Sequence, residues 1–210
     1  MTRENNVIPF NPLDKRQLGE SVGQALLHRP PLPLDSLEPF EGAGIYAIYY
    51  TGAFPCYDLI AQRNRDGQFA APIYVGKAVP KGARKGGEID AAPGRVLHGR
   101  LRQHARSIEE ASNLDGADFR CRYLIVDDIW IPLGESLLIA RFDPLWNTLI
   151  DGFGNHDPGS GRHAGFRPRW DVLHPGRPWA DHCQPRQESA EKISREAGNY
   201  LRNHLPPRSL

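Results

Sequence analysis

Two runs, GIYAIYY at residues 44–50 and PIYVGKA at residues 72–78, constrain this chain more than any other feature. Both are β-branched and aromatic, and both are bounded by Gly or Pro, which is the composition of paired strands. They stand about two dozen residues apart, so they can form a hairpin across a long connection. The first strand is expected at about 44–51 and the second at about 73–76. Period-2 alternation puts Tyr46 on one face with Ile48 and Tyr50, and Ile45 with Tyr49 on the other. Two phenols on a rigid sheet, with Lys77 just beyond the second strand, form a candidate site. Strand tyrosines also serve as half-buried packing residues, and these runs alone leave both readings open.

The other elements follow from periodicity. Residues 119–126, FRCRYLIV, alternate and then run apolar, giving a third strand. Leu18, Val22 and Leu26 recur at i, i+4, i+8 and predict a helix over 13–28, stopped by the prolines of RPPLPL at 29–34. Residues 52–71 read as a long loop, of a length that often carries function. Over 95–111, Leu97, Leu101, His104 and Ile108 share one helical stripe, with Arg100 on its flank one turn before His104. A histidine in such a stripe is also what a satisfied core residue looks like. A helix over 133–142 puts Glu135 on the face of Leu138, Ile139 and Phe142. A carboxylate there is costly unless paired, hydrogen-bonded or metal-bound, and Arg100 and Arg141 are candidate partners. Residues 151–183 interleave Gly and Pro with Arg and aromatics and are expected to wrap the domain. Ile193, Ala197 and Leu201 mark a last amphipathic helix within 188–204.

Composition narrows the class. With 210 residues, 40% hydrophobic and 24% charged, the chain can bury a core without disulfide or metal staples. Cys56, Cys121 and Cys183 form no CxxC pair, which suits a reducing cytoplasm. No apolar run approaches the roughly 18 residues of a membrane span, and the N-terminus lacks a signal-peptide core, so no membrane association is expected. A net charge of +1 hides an uneven distribution. Residues 77–106 carry eight Lys or Arg against Glu88 and Asp90, and residues 161–186 are basic again. Basic loops rich in Gly and Pro can follow a phosphate backbone, although charge blocks are also ordinary solvated surface.

Two tyrosines, a lysine, an Arg/His pair, a carboxylate and Asn147 do not make an acyl-transfer triad. Nor is there a dinucleotide-binding glycine fingerprint or a Walker loop. The set does suit phosphodiester hydrolysis. One carboxylate can hold a divalent metal against a phosphate oxygen and the leaving oxygen. An arginine can neutralise developing charge, and a phenol with its pKa depressed by a lysine or metal can take a proton from water. A zinc module built from His174, His182 and Cys183, or from His156 and His163, matches no common ligand spacing.

The order Gly44-Ile45-Tyr46, Tyr74-Val75-Gly76, Arg100 with His104, Glu135 and Asn147 resembles the GIY-YIG nuclease family. Valine replaces the isoleucine usual in the second motif. The resemblance implies a small α/β (α+β) module, a three-stranded mixed or antiparallel sheet flanked by helices. It implies Tyr46 as general base or water-positioning phenol, Tyr74 as its companion, Arg100 on the phosphate and Glu135 as ligand to Mg²⁺ (or Mn²⁺). Asn147 would support the site, His104 would assist, and Lys77 would tune the phenol. Residues 72–80, 100–104, 112–115, 144–148, 151–156 and 170–177 further resemble the Type II restriction endonuclease branch whose target is CCGCGG. That branch implies a homodimer cutting both strands of palindromic double-stranded DNA, and a companion DNA methyltransferase of the same specificity without stable contact. Arg84, Lys85, Arg162 and Arg167 are the candidate DNA-binding residues, since Arg and Lys read guanine edges. The expected organisation is an N-terminal arm over 1–40 for packing or dimer contact and a nuclease core over 41–150. The core would carry a basic DNA-contacting loop at 77–95, and a C-terminal wrap and helix would occupy 151–210. The competing readings are a repair or homing nuclease of the same family and a DNA-binding protein without catalysis.

Overall fold

The computed structural model describes residues 11, 14–80, 94–155 and 165–205. Its centre is a four-stranded antiparallel sheet in the order β1-β4-β2-β3. The strands are β1 (Leu32–Pro33), β2 (Gly44–Tyr50), β3 (Tyr74–Ala78) and β4 (Phe119–Ile125). Every residue of β2 is buried, because the strand is paired on both edges and covered on both faces. Tyr46, Ile48 and Tyr50 enter one apolar cluster and Ile45, Ala47 and Tyr49 the other, as the alternation predicts. Burial of Ile45 and Ile48 contributes about 1.5–3 kcal/mol of transfer free energy each.

The fourth strand corrects the three-stranded expectation. Leu32 pairs with Cys121 and Pro33 with Arg120 at the outer edge of β4. A segment read as a proline stop thus doubles as a two-residue edge strand, where a residue without an N–H is tolerated.

Helix α1 (Lys15–Leu27) and helix α4 (Ile131–Phe142) cover the face that carries Ile45. The Asp14 carboxylate caps α1, accepting from the Arg16 amide at 2.8 Å. Gly19 and Gly23 let the two helices approach closely. A Cβ at Gly19 would stand 2.9 Å from Leu137, and one at Gly23 would stand 3.3 Å from Leu138. The N-terminal helix therefore packs within its own chain.

On the other face lie α3 (Val96–Glu110), α5 (Leu145–Thr148), α6 (Arg169–Leu173) and α7 (Ala190–His204). Leu97, Leu101, His104, Ala105 and Ile108 are the buried stripe of α3. Trp170, Leu173, Ile193, Ala197 and Leu201 join Tyr46 and Ile48 in one cluster, so the C-terminal segment shares the core of the sheet. The connection read as a loop over 52–71 contains a helix, α2 (Asp58–Asn64). Seven residues are too few to display a helical period. The buried Asn64 side chain fixes the end of α2 by donating to the carbonyls of Tyr50 and Ala71 at 2.9 and 2.8 Å. Among the described residues no helix is long and apolar enough to cross a membrane.

Candidate active site

Strand β2 carries Tyr46 to the centre of the molecule, where its ring is fully buried. Its cross-strand partner on β3 is Gly76. A Cβ at Gly76 would lie 2.4 Å from the Tyr46 hydroxyl oxygen and 2.5 Å from Cζ. The glycine of the second motif therefore makes room for the tyrosine of the first. Helix α3 supplies His104, itself 2% exposed, and the Tyr46 hydroxyl and His104 Nε2 are hydrogen-bonded at 2.6 Å. Tyr74, half-buried at the start of β3, completes an aromatic cluster. Its ring centroid lies 6.2 Å from that of Tyr46 and 5.2 Å from that of His104.

Arg100 sits one turn before His104 on α3, and its Nη2 donates to the Gly154 carbonyl at 2.9 Å. Burial pushes the Tyr46 phenol far above the ordinary tyrosine range; Tyr74 adds to the shift and Arg100 opposes it. Tyr74 is raised by burial as well, with Arg100 again opposing and Glu135 reinforcing. This corrects the expectation of a phenol depressed and tuned by Lys77. Among the described residues the cation whose field reaches both phenols is Arg100, and desolvation outweighs it.

Lys77 has a different partner. Its Nζ lies 2.5 Å from Glu135 Oε2, joining β3 to α4. The pair answers the cost of a carboxylate on an apolar helix face, with Lys77 in place of the expected arginine. The Glu135 side chain is 18% exposed, so the pair is not sealed in the core. A divalent ion would fit that donor. Mg²⁺ keeps several waters and takes one or two carboxylates with substrate phosphates, without needing an all-protein cage. Among the described residues no three His, Cys, Asp or Glu side chains cluster as such a cage.

Asn147 acts on the backbone. β3 is an edge strand, and the Asn147 side chain accepts from the Val75 amide and donates to the Val75 carbonyl, both at 2.8 Å. The amide thus imitates a neighbouring strand and pins β3 between Tyr74 and Lys77.

The structure brings Tyr46, Tyr74, Arg100 and His104 together on one face of the sheet, and the Lys77–Glu135 pair stands on the other face of β3, near enough for the Glu135 charge to act on both phenols. Arg84, Lys85 and Arg162 lie outside the described residues, as does most of the 77–95 loop. Arg167 is engaged within the C-terminal segment, donating to the Ala180 carbonyl at 3.1 Å and to Asp181 at 3.0 Å. His174 belongs to a buried polar chain instead of a zinc site. Its Nε2 meets the Tyr57 hydroxyl at 2.7 Å and its Nδ1 meets Asn113 at 2.8 Å. Sequence reasoning missed Phe153, which stacks on His104 with centroids 4.6 Å apart and rings 16° from parallel. The Gly residues flanking it in DGFGN were the available signal of a close backbone approach.

The family model described as the Eco29kI GIY-YIG domain matches residues 38–201 of the 210-residue chain. No curated protein matches the sequence.

Proposed function

This chain belongs to the Eco29kI GIY-YIG family, a nuclease domain of restriction type, and from that premise we propose that it is a Type II restriction endonuclease. It hydrolyses phosphodiester bonds of double-stranded DNA at a palindromic G/C site, CCGCGG, using Mg²⁺. It does so as a homodimer, since one site per chain must serve two strands. A DNA methyltransferase of the same specificity protects the host genome. The observation that carries the reading is the buried Tyr46–His104 hydrogen bond flanked by Arg100 and Tyr74, with the Lys77–Glu135 pair on the other face of β3.

The raised phenol pKa shapes the proton path. Tyr46 stays neutral in the resting protein, so phenolate does not accumulate. With His104 Nε2 unprotonated, the Tyr46 hydroxyl donates to it and leaves a lone pair of its own oxygen to accept from the attacking water. As water loses a proton to the Tyr46 oxygen, the phenol proton moves to Nε2, and no buried anion is left behind. The Arg100 guanidinium stabilises charge building on the phosphoryl oxygens. Tyr74, half-buried near the same guanidinium, orients the phosphate or the water. Glu135 would hold the Mg²⁺, with Lys77 compensating the carboxylate until the ion arrives. A bound Mg²⁺ supplies charge neutralisation at the phosphate and the leaving oxygen.

The test is a digest of unmethylated plasmid or phage DNA with Mg²⁺, with and without EDTA, followed by sequencing of the ends. A CCGCGG-methylated control runs beside it. Discrete, metal-dependent fragments sharing one G/C palindrome are expected, with the methylated control left intact. Random nicking would remove the restriction reading, and a DNA shift without cutting would remove the nuclease reading.

A further inference from the structure

Three of the site residues, Arg100, His104 and Tyr74, are touched by a turn that follows the last motif. Residues 151–155, Asp-Gly-Phe-Gly-Asn, run back across the mouth of the site. The Gly154 carbonyl accepts from Arg100 Nη2 at 2.9 Å. The Phe153 ring stacks on His104 and meets Tyr74 edge-on, with centroids 5.0 Å apart. A Cβ at Gly154 would stand 2.7 Å from the Tyr74 hydroxyl and 3.2 Å from Arg100 Nη2. The main chain of this turn is a wall of the site, with no space for a side chain.

A buried cation holds the turn in place. Arg177, 1% exposed, donates to the carbonyls of Gly152 at 2.9 Å and of Phe153 and Asn155 at 3.2 Å each. Its other donors go to Asp171 at 2.6 and 2.5 Å. The guanidinium lies over Trp170 and Trp179, at 4.5 and 4.8 Å from their centroids. Asp171 alone would answer the charge. The fork is used in addition to bind three carbonyls of a single turn, a geometry that lysine cannot reproduce. Gly152, at φ +105°, presses against Pro168, where a Cβ would stand 2.1 Å away. The turn thus has one allowed path.

We propose that Arg177 is a positioning residue for the reaction, acting through the turn it grips. By fixing the carbonyls of residues 152, 153 and 155, it sets the Gly154 carbonyl that orients Arg100 and the Phe153 ring that orients His104. This inference rests on the nuclease reading above. It makes the C-terminal segment part of the active site, in addition to any role on DNA.

Two variants and two readouts test it. Arg177→Lys keeps the buried charge and loses the fork. Gly154→Ala leaves Arg177 and Asp171 untouched, and position 154 has no left-handed backbone to strain. Each variant is compared with the parent in single-turnover cleavage of a duplex carrying the site found in the parent digest, and in binding of that duplex with Ca²⁺. The His104 ring protons are followed by NMR in the DNA-free protein. In Gly154→Ala we expect a cooperative melt, DNA affinity within about threefold, and cleavage lowered by about 10²-fold, as for a misplaced group. In both variants the His104 resonances should move, since the Phe153 ring is stacked on the imidazole at 4.6 Å. Wild-type cleavage with unmoved His104 resonances in folded Gly154→Ala would overturn the proposal. So would an Arg177→Lys protein whose folded fraction keeps the parent resonances and loses cleavage only in proportion to unfolding. If the parent cuts no DNA, the nuclease reading fails, and unmoved resonances in both variants would then overturn the positional coupling as well.

Discussion

Replacing Tyr46 with phenylalanine isolates the one hydroxyl on which the proposed proton path depends. The ring is fully buried and packed against Gly76, so Phe keeps the shape and removes the hydroxyl, with its hydrogen bond to His104 and its polar contacts to Arg100 and Tyr74. His104, 2% exposed, then loses the partner of Nε2 inside the core. Leaving one buried polar group unsatisfied costs about 1–3 kcal/mol. For a chain of this size that corresponds to a fall in melting temperature of roughly 2–4 °C per kcal/mol. The chemical cost is larger, since loss of a positioned acid or base lowers the rate by about 10²–10⁴-fold. The assay is single-turnover cleavage of a duplex bound with Ca²⁺ and started with Mg²⁺, so that binding and chemistry separate. His104→Ala and the double variant complete a cycle. If the two groups act as one relay, the double variant is no slower than the worse single one, because units that act together are not additive. Tyr46→Phe cleaving at the parent rate would refute the relay. Additive losses in the double variant would show that the two side chains act independently.

Three further outcomes are expected. Glu135→Gln removes the proposed metal donor and its charge while keeping its shape. Cleavage should vanish while a gel shift retains, or strengthens, DNA binding; normal cleavage would place the metal elsewhere. Asn147→Ala strips both hydrogen bonds from Val75 at the sheet edge, which costs about 1–3 kcal/mol. Thermal melts should show the loss, and cleavage should fall with the displaced Tyr74; an unchanged melting temperature would contradict the clamp. Burial, reinforced by Arg177, lowers the His174 pKa from its ordinary value to about 3. The unfolded chain binds a proton there near pH 6.5 and the folded chain does not. This contribution to stability is therefore complete above pH 6.5 and drains away as pH falls toward 3, by up to about 1.4 kcal/mol per pH unit. Denaturant midpoints measured across that window should lose slope in His174→Gln, and an identical slope would reassign the effect.

The legible part of the fold was the part written in periodicity. GIYAIYY and FRCRYLIV announced their strands, and the stripe Leu97–Leu101–His104–Ile108 announced α3, because burial on one face repeats often enough to be seen. The illegible elements are short ones. β1 has two residues and one is proline, and α2 and α6 have seven and five. Such segments are held by individual tertiary bonds, such as those of Asn64, that leave no pattern in neighbouring residues. The candidate site residues were visible as motifs, but their pairings were not. Lys77 is adjacent to Gly76 and so invited assignment to the phenols, yet alternation along β3 turns it to the opposite face, toward α4 and Glu135. The direction of the Tyr46 shift was equally hidden. It follows from how completely the wrap and α3 exclude water, and sequence near Tyr46 says nothing of that.

Complete enclosure of β2 has a consequence for how the protein fails. Its amides are paired to β3 on one side and β4 on the other, and neither face meets solvent. Deuterium can reach them only when the whole domain opens, so they belong to the slowest-exchanging set. Tyr46 rides on that strand, whereas Tyr74 and Lys77 ride on an edge strand secured outward by Asn147. Heat or denaturant should therefore disorder the β3 half of the site first. Activity would be lost while the strand bearing Tyr46 is still protected.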